Sequence, residues 1–183
     1  MIKIGITGSL ASGKSTVAKL MSKSKYPIFS ADKVVAGLYK KRTFLLKIKK
    51  KFNFKNSKNL KKKLKVLIRK DKTALKRLET IIHPLVRREM KSFRKKKFKI
   101  GIFEIPLLIE SKLMKYFDVV IFVNAQRNKR LRRYKGNEKI FTTLDKRQII
   151  SSKKIKFSDH VINNNENRIK LKKKVKNLIS RYE

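Results

Sequence analysis

Gly8-Ser9-Leu10-Ala11-Ser12-Gly13-Lys14-Ser15 fills every fixed position of the pattern G-x-x-x-x-G-K-[ST]. The flanks have the character that this pattern requires. Ile2-Lys3-Ile4-Gly5-Ile6 before it is short and β-branched, and reads as a strand. Ser15 to Met21 after it reads as a helix with Val17, Leu20 and Met21 on one side. A strand, a glycine-containing loop and a helix in this order aim backbone N–H groups and a helix N-terminus at a polyphosphate. Gly8 and Gly13 allow the backbone angles and close approach that a β-carbon obstructs. Lys14 is placed to reach the β- and γ-phosphates, and the Ser15 hydroxyl to ligate Mg²⁺.

The bulk properties leave room for this reading and remove others. A chain of 183 residues suits one core domain with an inserted subdomain. With no cysteine, disulfides and thiolate metal sites are excluded. No apolar run approaches the roughly 20 residues that cross a bilayer, and the N-terminal strand lacks the character of a signal peptide. We therefore expect a cytoplasmic protein with no membrane partner. The net charge of +41 invites a nucleic-acid reading. Against it, lysines outnumber arginines 40 to 13, whereas bidentate phosphate and base recognition favours arginine. The lysines are also spread along the chain without an aromatic platform for single strands. We expect no specific nucleic-acid partner, although so positive a field attracts any polyanionic substrate.

Beyond the first helix, Tyr26 to Asp32 reads as a turn and a second strand ending at Asp32. A carboxylate at the end of a parallel strand stands where such sheets bind ligands. It suits either a general base for an attacking hydroxyl or the cap of a helix starting at Lys33. From Lys40 to Lys97 lysine-rich helical segments replace the strand–helix alternation, with apolar stripes at Leu60, Leu64, Leu67 and Ile68 and again from Leu78 to Phe93. Pro84 starts or kinks a helix there, and His83 beside it, taken on its own, reads more readily as a structural histidine than as a catalytic one. Strands return at Lys99–Ile105, Asp118–Val123 and His160–Ile162. Glu104 ends the first of these, where a strand beside a phosphate loop carries an acid for Mg²⁺ or its waters. Glu110 follows Pro106-Leu107-Leu108-Ile109. Arg130 and Arg133 lie three apart in an arginine-rich helix and share a face, suited to closing over a nucleotide. A further short helix is predicted from Thr143 to Ser152, carrying Arg147 and Gln148, and a terminal amphipathic helix carries Leu171, Val175, Leu178 and Tyr182.

Taken as a set, Gly8–Thr16, Ser30-Ala31-Asp32, Ile82-His83-Pro84-Leu85-Val86, Glu104–Glu110, Arg130-Leu131 and Val161-Ile162-Asn163-Asn164 resemble the dephospho-CoA kinase family. The resemblance implies an α/β fold of the P-loop NTPase type in three layers around a parallel five-stranded sheet. It places the kinase core at 1–40 and 98–183, a lid at roughly 126–156, and a helical substrate-binding insertion at 41–97. It implies ATP and Mg²⁺ as cofactors and ATP-dependent phosphorylation of the ribose 3′-hydroxyl of dephospho-CoA; separately, we expect a monomer. The residues so assigned to nucleotide are Gly8, Ala11, Ser12, Gly13, Lys14, Ser15, Thr16 and Asn164, and to metal Ser15 and Glu104. Asp32, His83, Pro84, Pro106, Leu107 and Glu110 fall to the acceptor. Asp32, Lys14, Arg130 and Arg133 are the catalytic set, with Asp32 the base. Two departures from the family pattern stand out: Ser30 replaces the first acid of Asp-Ala-Asp, and Glu104 stands where Asp is common. A nucleoside monophosphate kinase shares the loop and lid, and a basic RNA-binding protein is the non-enzyme alternative. A guanine-reading switch is disfavoured because no Asn-Lys-x-Asp occurs.

Overall fold

The computed structural model describes residues 1–56, 59–95 and 98–183, with the side chains of residues 69, 70 and 72 left aside. The chain divides into two compact units, Met1–Ser30 with Lys96–Glu183, and Ala31–Lys95. Ala31–Leu38 thus belongs to the helical unit, ahead of the boundary expected at 41. The other expected boundary, at 97, lies outside the described residues.

The first unit is built on β1 (Ile2–Gly8), β2 (Ile28–Ser30), β3 (Ile100–Glu104), β4 (Val119–Asn124) and β5 (His160–Asn163). All pair in parallel in the order β2-β3-β1-β4-β5, as the strand–helix alternation predicts. Parallel strands covered on both faces read as continuous apolar runs, and β3 and most of β4 are buried throughout. Alternate residues Ile4 and Ile6, Ile100 and Ile102, and Ile121 and Val123 turn to one face. There they meet Val17, Ala18 and Met21 of α1 (Lys14–Ser22), together with Leu171, Val175, Leu178 and Ile179 of α9 (Arg168–Ile179). On the opposite face Phe103 lies edge-on to Phe117 at 5.3 Å. Gly5 is needed there, since a β-carbon would come within 2.7 Å of Leu108 Cδ1 and 3.0 Å of the Phe117 ring.

Two elements depart from the sequence expectation. β2 stops at Ser30, where its ladder with β3 ends at Glu104, and a helix α2 (Ala31–Leu38) begins at once. Asp32 therefore lies in the first turn of a helix rather than at the end of a strand, where its charge complements the helix N-terminus. The single helix expected at Thr143–Ser152 is two. Asn137 accepts a hydrogen bond from Lys139 N at 2.7 Å and starts α7 (Glu138–Lys146) early. α8 (Ser151–Lys156) follows after a break that holds Arg147 and Gln148.

The second unit holds α2, α3 (Arg42–Lys51), α4 (Leu60–Lys70) and α5 (Lys72–Arg94) around Leu38, Phe44, Ile48, Phe52, Leu60, Leu64, Ala74 and Leu78. Asp71 caps α5 by accepting from Thr73 N at 2.7 Å. Pro84 lies inside α5, so of the two roles open to it the structure selects the interior one. Its missing N–H removes one rung of the helix directly after His83. No described helix is long and apolar enough to cross a membrane.

Candidate active site

β1 runs out at Gly8, and the chain must turn sharply to enter α1. A β-carbon on Gly8 would come within 2.5 Å of the Val123 carbonyl oxygen, so only glycine lets the loop leave the sheet here. Ser12 N closes the turn by donating to Ser9 O at 3.1 Å. Gly13 caps α1 in the left-handed conformation with φ 96°. The first turn of α1 holds no acid and the cap makes no side-chain hydrogen bond, which leaves the positive end of the helix dipole to an anion. Lys14 is buried and donates to Ser9 O at 3.0 Å across the loop.

The loop is gripped from three sides. Asn164, buried at the end of β5, donates from Nδ2 to Ser12 O at 2.8 Å. Arg130 on α6 (Arg127–Arg133) donates from Nη1 to Leu10 O at 3.3 Å. Gln148 Oε1 accepts from Leu10 N at 3.0 Å. The Leu10 nitrogen and oxygen belong to successive peptide planes, so the last two contacts fix both. In a trans peptide the N–H points opposite to the C=O, so the grip on Leu10 O directs Ala11 N–H away from Arg130. Ala11 has φ 57°, a left-handed conformation that costs a non-glycine residue roughly 1–2 kcal/mol unless its surroundings hold it.

The metal side is simpler. Glu104, 6% exposed, is in register with Ile6 of β1 and Ser30 of β2. Ser15 Oγ donates to Glu104 Oε1 in a short hydrogen bond. This oxygen pair is a hard donor set of the kind that Mg²⁺ shares with phosphate oxygens and water. Among the described residues no three of His, Cys, Asp and Glu cluster as a dedicated metal cage. A helix N-terminus open to an anion beside two oxygen donors fits a metal–polyphosphate.

Several expected residues take other work. Arg130, expected to touch nucleotide, is 7% exposed and turned inward. Nε donates to Ala125 O at 3.1 Å, and the two terminal nitrogens meet both carboxylate oxygens of Asp145. A guanidinium spent on a fork and two carbonyls ties the phosphate loop to α6 and α7. Arg133 stays exposed and donates to Asn164 O at 3.0 Å. Asn164, expected near adenine, uses its amide on the phosphate loop. Glu110, expected toward the acceptor, instead accepts from Ile149 N at 3.3 Å and pairs with Lys154 at 2.7 Å. Pro106 does meet the loop strand, its carbonyl accepting from Thr7 Oγ1 at 3.0 Å, and Leu107 beside it is half-buried. Thr16 lies half-buried in the first turn of α1. Asp32, His83 and Pro84 belong to the helical unit, with Asp32 exposed and His83 half-buried. The sequence reading missed Asp145 and Lys154, which carry no local motif and are picked out only by their partners across the fold.

A five-stranded parallel sheet with a phosphate loop between β1 and α1 defines the P-loop kinase class. Two shikimate kinases, from Bacteroides thetaiotaomicron and Aquifex aeolicus, share the fold at TM-scores of 0.55 and 0.52, 17% identity and nearly full coverage of both chains. Within that class the family model for dephospho-CoA kinase matches residues 2–170, and the chain belongs to the dephospho-CoA kinase family. It is 36% identical to a dephospho-CoA kinase of Fusobacterium nucleatum over 94% of both chains, and 38% identical to one of Bartonella henselae over 87% of both. A crystal structure of a Thermus thermophilus protein superposes with a TM-score of 0.82 at 27% identity, covering 98% of this chain and 97% of the other.

Proposed function

We propose that this enzyme transfers the γ-phosphoryl group of ATP to the ribose 3′-hydroxyl of dephospho-CoA, forming coenzyme A. The observation that carries this is the intact phosphate loop, with Ser15 bonded to Glu104 at its side, in a chain of the dephospho-CoA kinase family. The α1 amides and Lys14 hold the ATP phosphates. Ser15 and Glu104 would hold Mg²⁺, which when bound would supply positive charge to offset that of the phosphates. Asp32, in the first turn of α2 directly after β2, accepts the proton of the attacking 3′-hydroxyl. His83 and Pro84 line the acceptor site. Arg133, exposed at the lid, neutralises charge that develops on the transferred group. Closing the lid excludes the water that would otherwise hydrolyse ATP. The location that suits this reaction is the cytoplasm.

A coupled assay tests the reading. ATP-dependent phosphorylation of dephospho-CoA on the order of 1–100 per second is expected, as for kinases in general. Transfer to AMP with none to dephospho-CoA would sink it in favour of a nucleoside monophosphate kinase.

A further inference from the structure

Glu110 lies in the turn after β3, and Lys154 on α8 has a fully buried side chain. Glu110 Oε1 is 2.7 Å from Lys154 Nζ and also accepts from Ile149 N. Glu110 Oε2 and Lys154 Nζ are buried and make no hydrogen bond among the described residues. An ammonium offers three donors, so one that is wholly buried beside a single oxygen is poorly solvated. Apolar replacements of such pairs are often neutral or stabilising, so stability alone does not account for this one. Its position does. Ile149 directly follows Gln148, whose Oε1 holds Leu10 N of the phosphate loop. One carboxylate grips the chain at 149 and 154, immediately beyond the residue that touches the loop.

We propose that Glu110 is a positioning residue for the donor nucleotide. By holding Ile149 and Lys154 it seats Gln148 against Leu10 N, and so fixes the Ser9–Leu10 peptide, one residue ahead of the left-handed Ala11. The proposal rests on the loop being an ATP site. It moves Glu110 from the acceptor side, where its motif is expected to act, to the donor side, and that difference is measurable.

The test is calorimetric titration with ATP and MgCl₂, with KM measured for both substrates, on the unaltered chain, Glu110→Gln and Gln148→Ala. Losing one positioning hydrogen bond should weaken ATP binding by about tenfold in each variant. KM for dephospho-CoA should stay within about twofold, below the free energy of one such bond. The double variant should bind ATP no worse than the weaker single one, because both act through one contact. Unchanged ATP affinity in Gln148→Ala overturns the proposal. So does a Glu110→Gln variant that raises KM for dephospho-CoA and leaves ATP affinity alone. A buried ammonium without its partner can unfold the chain. In that event the half-buried Gln148 decides the matter alone. An unaltered chain that binds ATP without phosphorylating dephospho-CoA defeats the acceptor assignment and leaves the titrations to judge Glu110. One that does not bind ATP defeats both.

Discussion

The sheet unit and the helical unit are made of different material. In the first, isoleucine and valine fill the strands, and the polar side chains that are buried, such as Ser12, Lys14, Glu104, Arg130 and Asn164, gather at the end of the sheet around the loop. In the second, four helices enclose an apolar cluster of leucine and aromatic side chains, and no acid occurs from Lys33 through Lys70. The contrast separates two ways of building a function. One unit commits buried polar groups to fixed partners, which makes its geometry specific. The other offers a lysine-rich exterior, which draws a polyanion by field more than by fit.

Asp32→Asn presses hardest on that division, because it puts a chemical role in the helical unit. Removing a general base should lower turnover by about 10²–10⁴-fold while ATP affinity holds, as read by steady-state kinetics beside calorimetry. Near-normal turnover would confine the chemistry to the sheet unit. Phe44→Ala asks whether the helical core can loosen without disturbing the loop. Phe44 is 2% exposed and lies edge-on to Tyr39 at 5.1 Å. Its loss should cost about 3–5 kcal/mol in chemical denaturation. ADP binding to the folded protein should be unchanged, and a parallel loss would show that the units are not separable. Arg130→Ala strips the loop bracket and leaves Asp145, 17% exposed at its side chain, without its ion pair. The expected cost is about 3 kcal/mol, or roughly 6–12 °C in Tm for a chain of this size. Arg133→Ala, on an exposed side chain, should leave Tm nearly unmoved.

A small effect is expected at the opposite end of the sheet from the loop, where Asp118 joins the starts of β1 and β4. Its carboxylate accepts from Lys3 N at 2.7 Å and pairs with Lys3 Nζ at 3.0 Å. Partial burial raises its pKa, but these bonds to Lys3 outweigh it and hold the group below the usual aspartate range. A folded-state pKa below the unfolded one favours folding above the unfolded value, and that contribution fades as pH falls through the folded pKa. Asp118→Asn should therefore cost under about 1 kcal/mol at neutral pH, since the pair is half exposed. The difference from the unaltered chain should vanish in acid, and a constant offset across pH would contradict the assignment.

Most of the sheet was legible because its signals are local. The phosphate loop, the β-branched runs and the amphipathic spacing of α9 each stand within one short window. What escaped depends on partners far apart in the chain. The break between α7 and α8 follows from bonds to Leu10 and Glu110, 138 and 39 positions away. Composition hid Lys154 among 40 lysines, and nothing near Asp145 marks it as the counter-ion of Arg130. Arg130 and Arg133 lie three apart in α6, but helical spacing does not say which of the two turns inward. The strand end expected at Asp32 and the helix start expected at Lys33 each fall two residues late, because β2 and α2 meet at Ser30-Ala31.

The register of β1 also bears on how the chain acquires its fold. Ile2 pairs with Ile100, and Ile4 with Val119. On a ribosome adding roughly 5–20 residues per second, β1 waits several seconds for its first neighbour. The helices of Ala31–Lys95 are complete before then and make their contacts locally, so they can form early. The apolar Ile2–Gly8 segment stays unpaired through that interval. Newly made chains should therefore be most prone to aggregate, and most dependent on chaperones, until β3 and β4 have emerged.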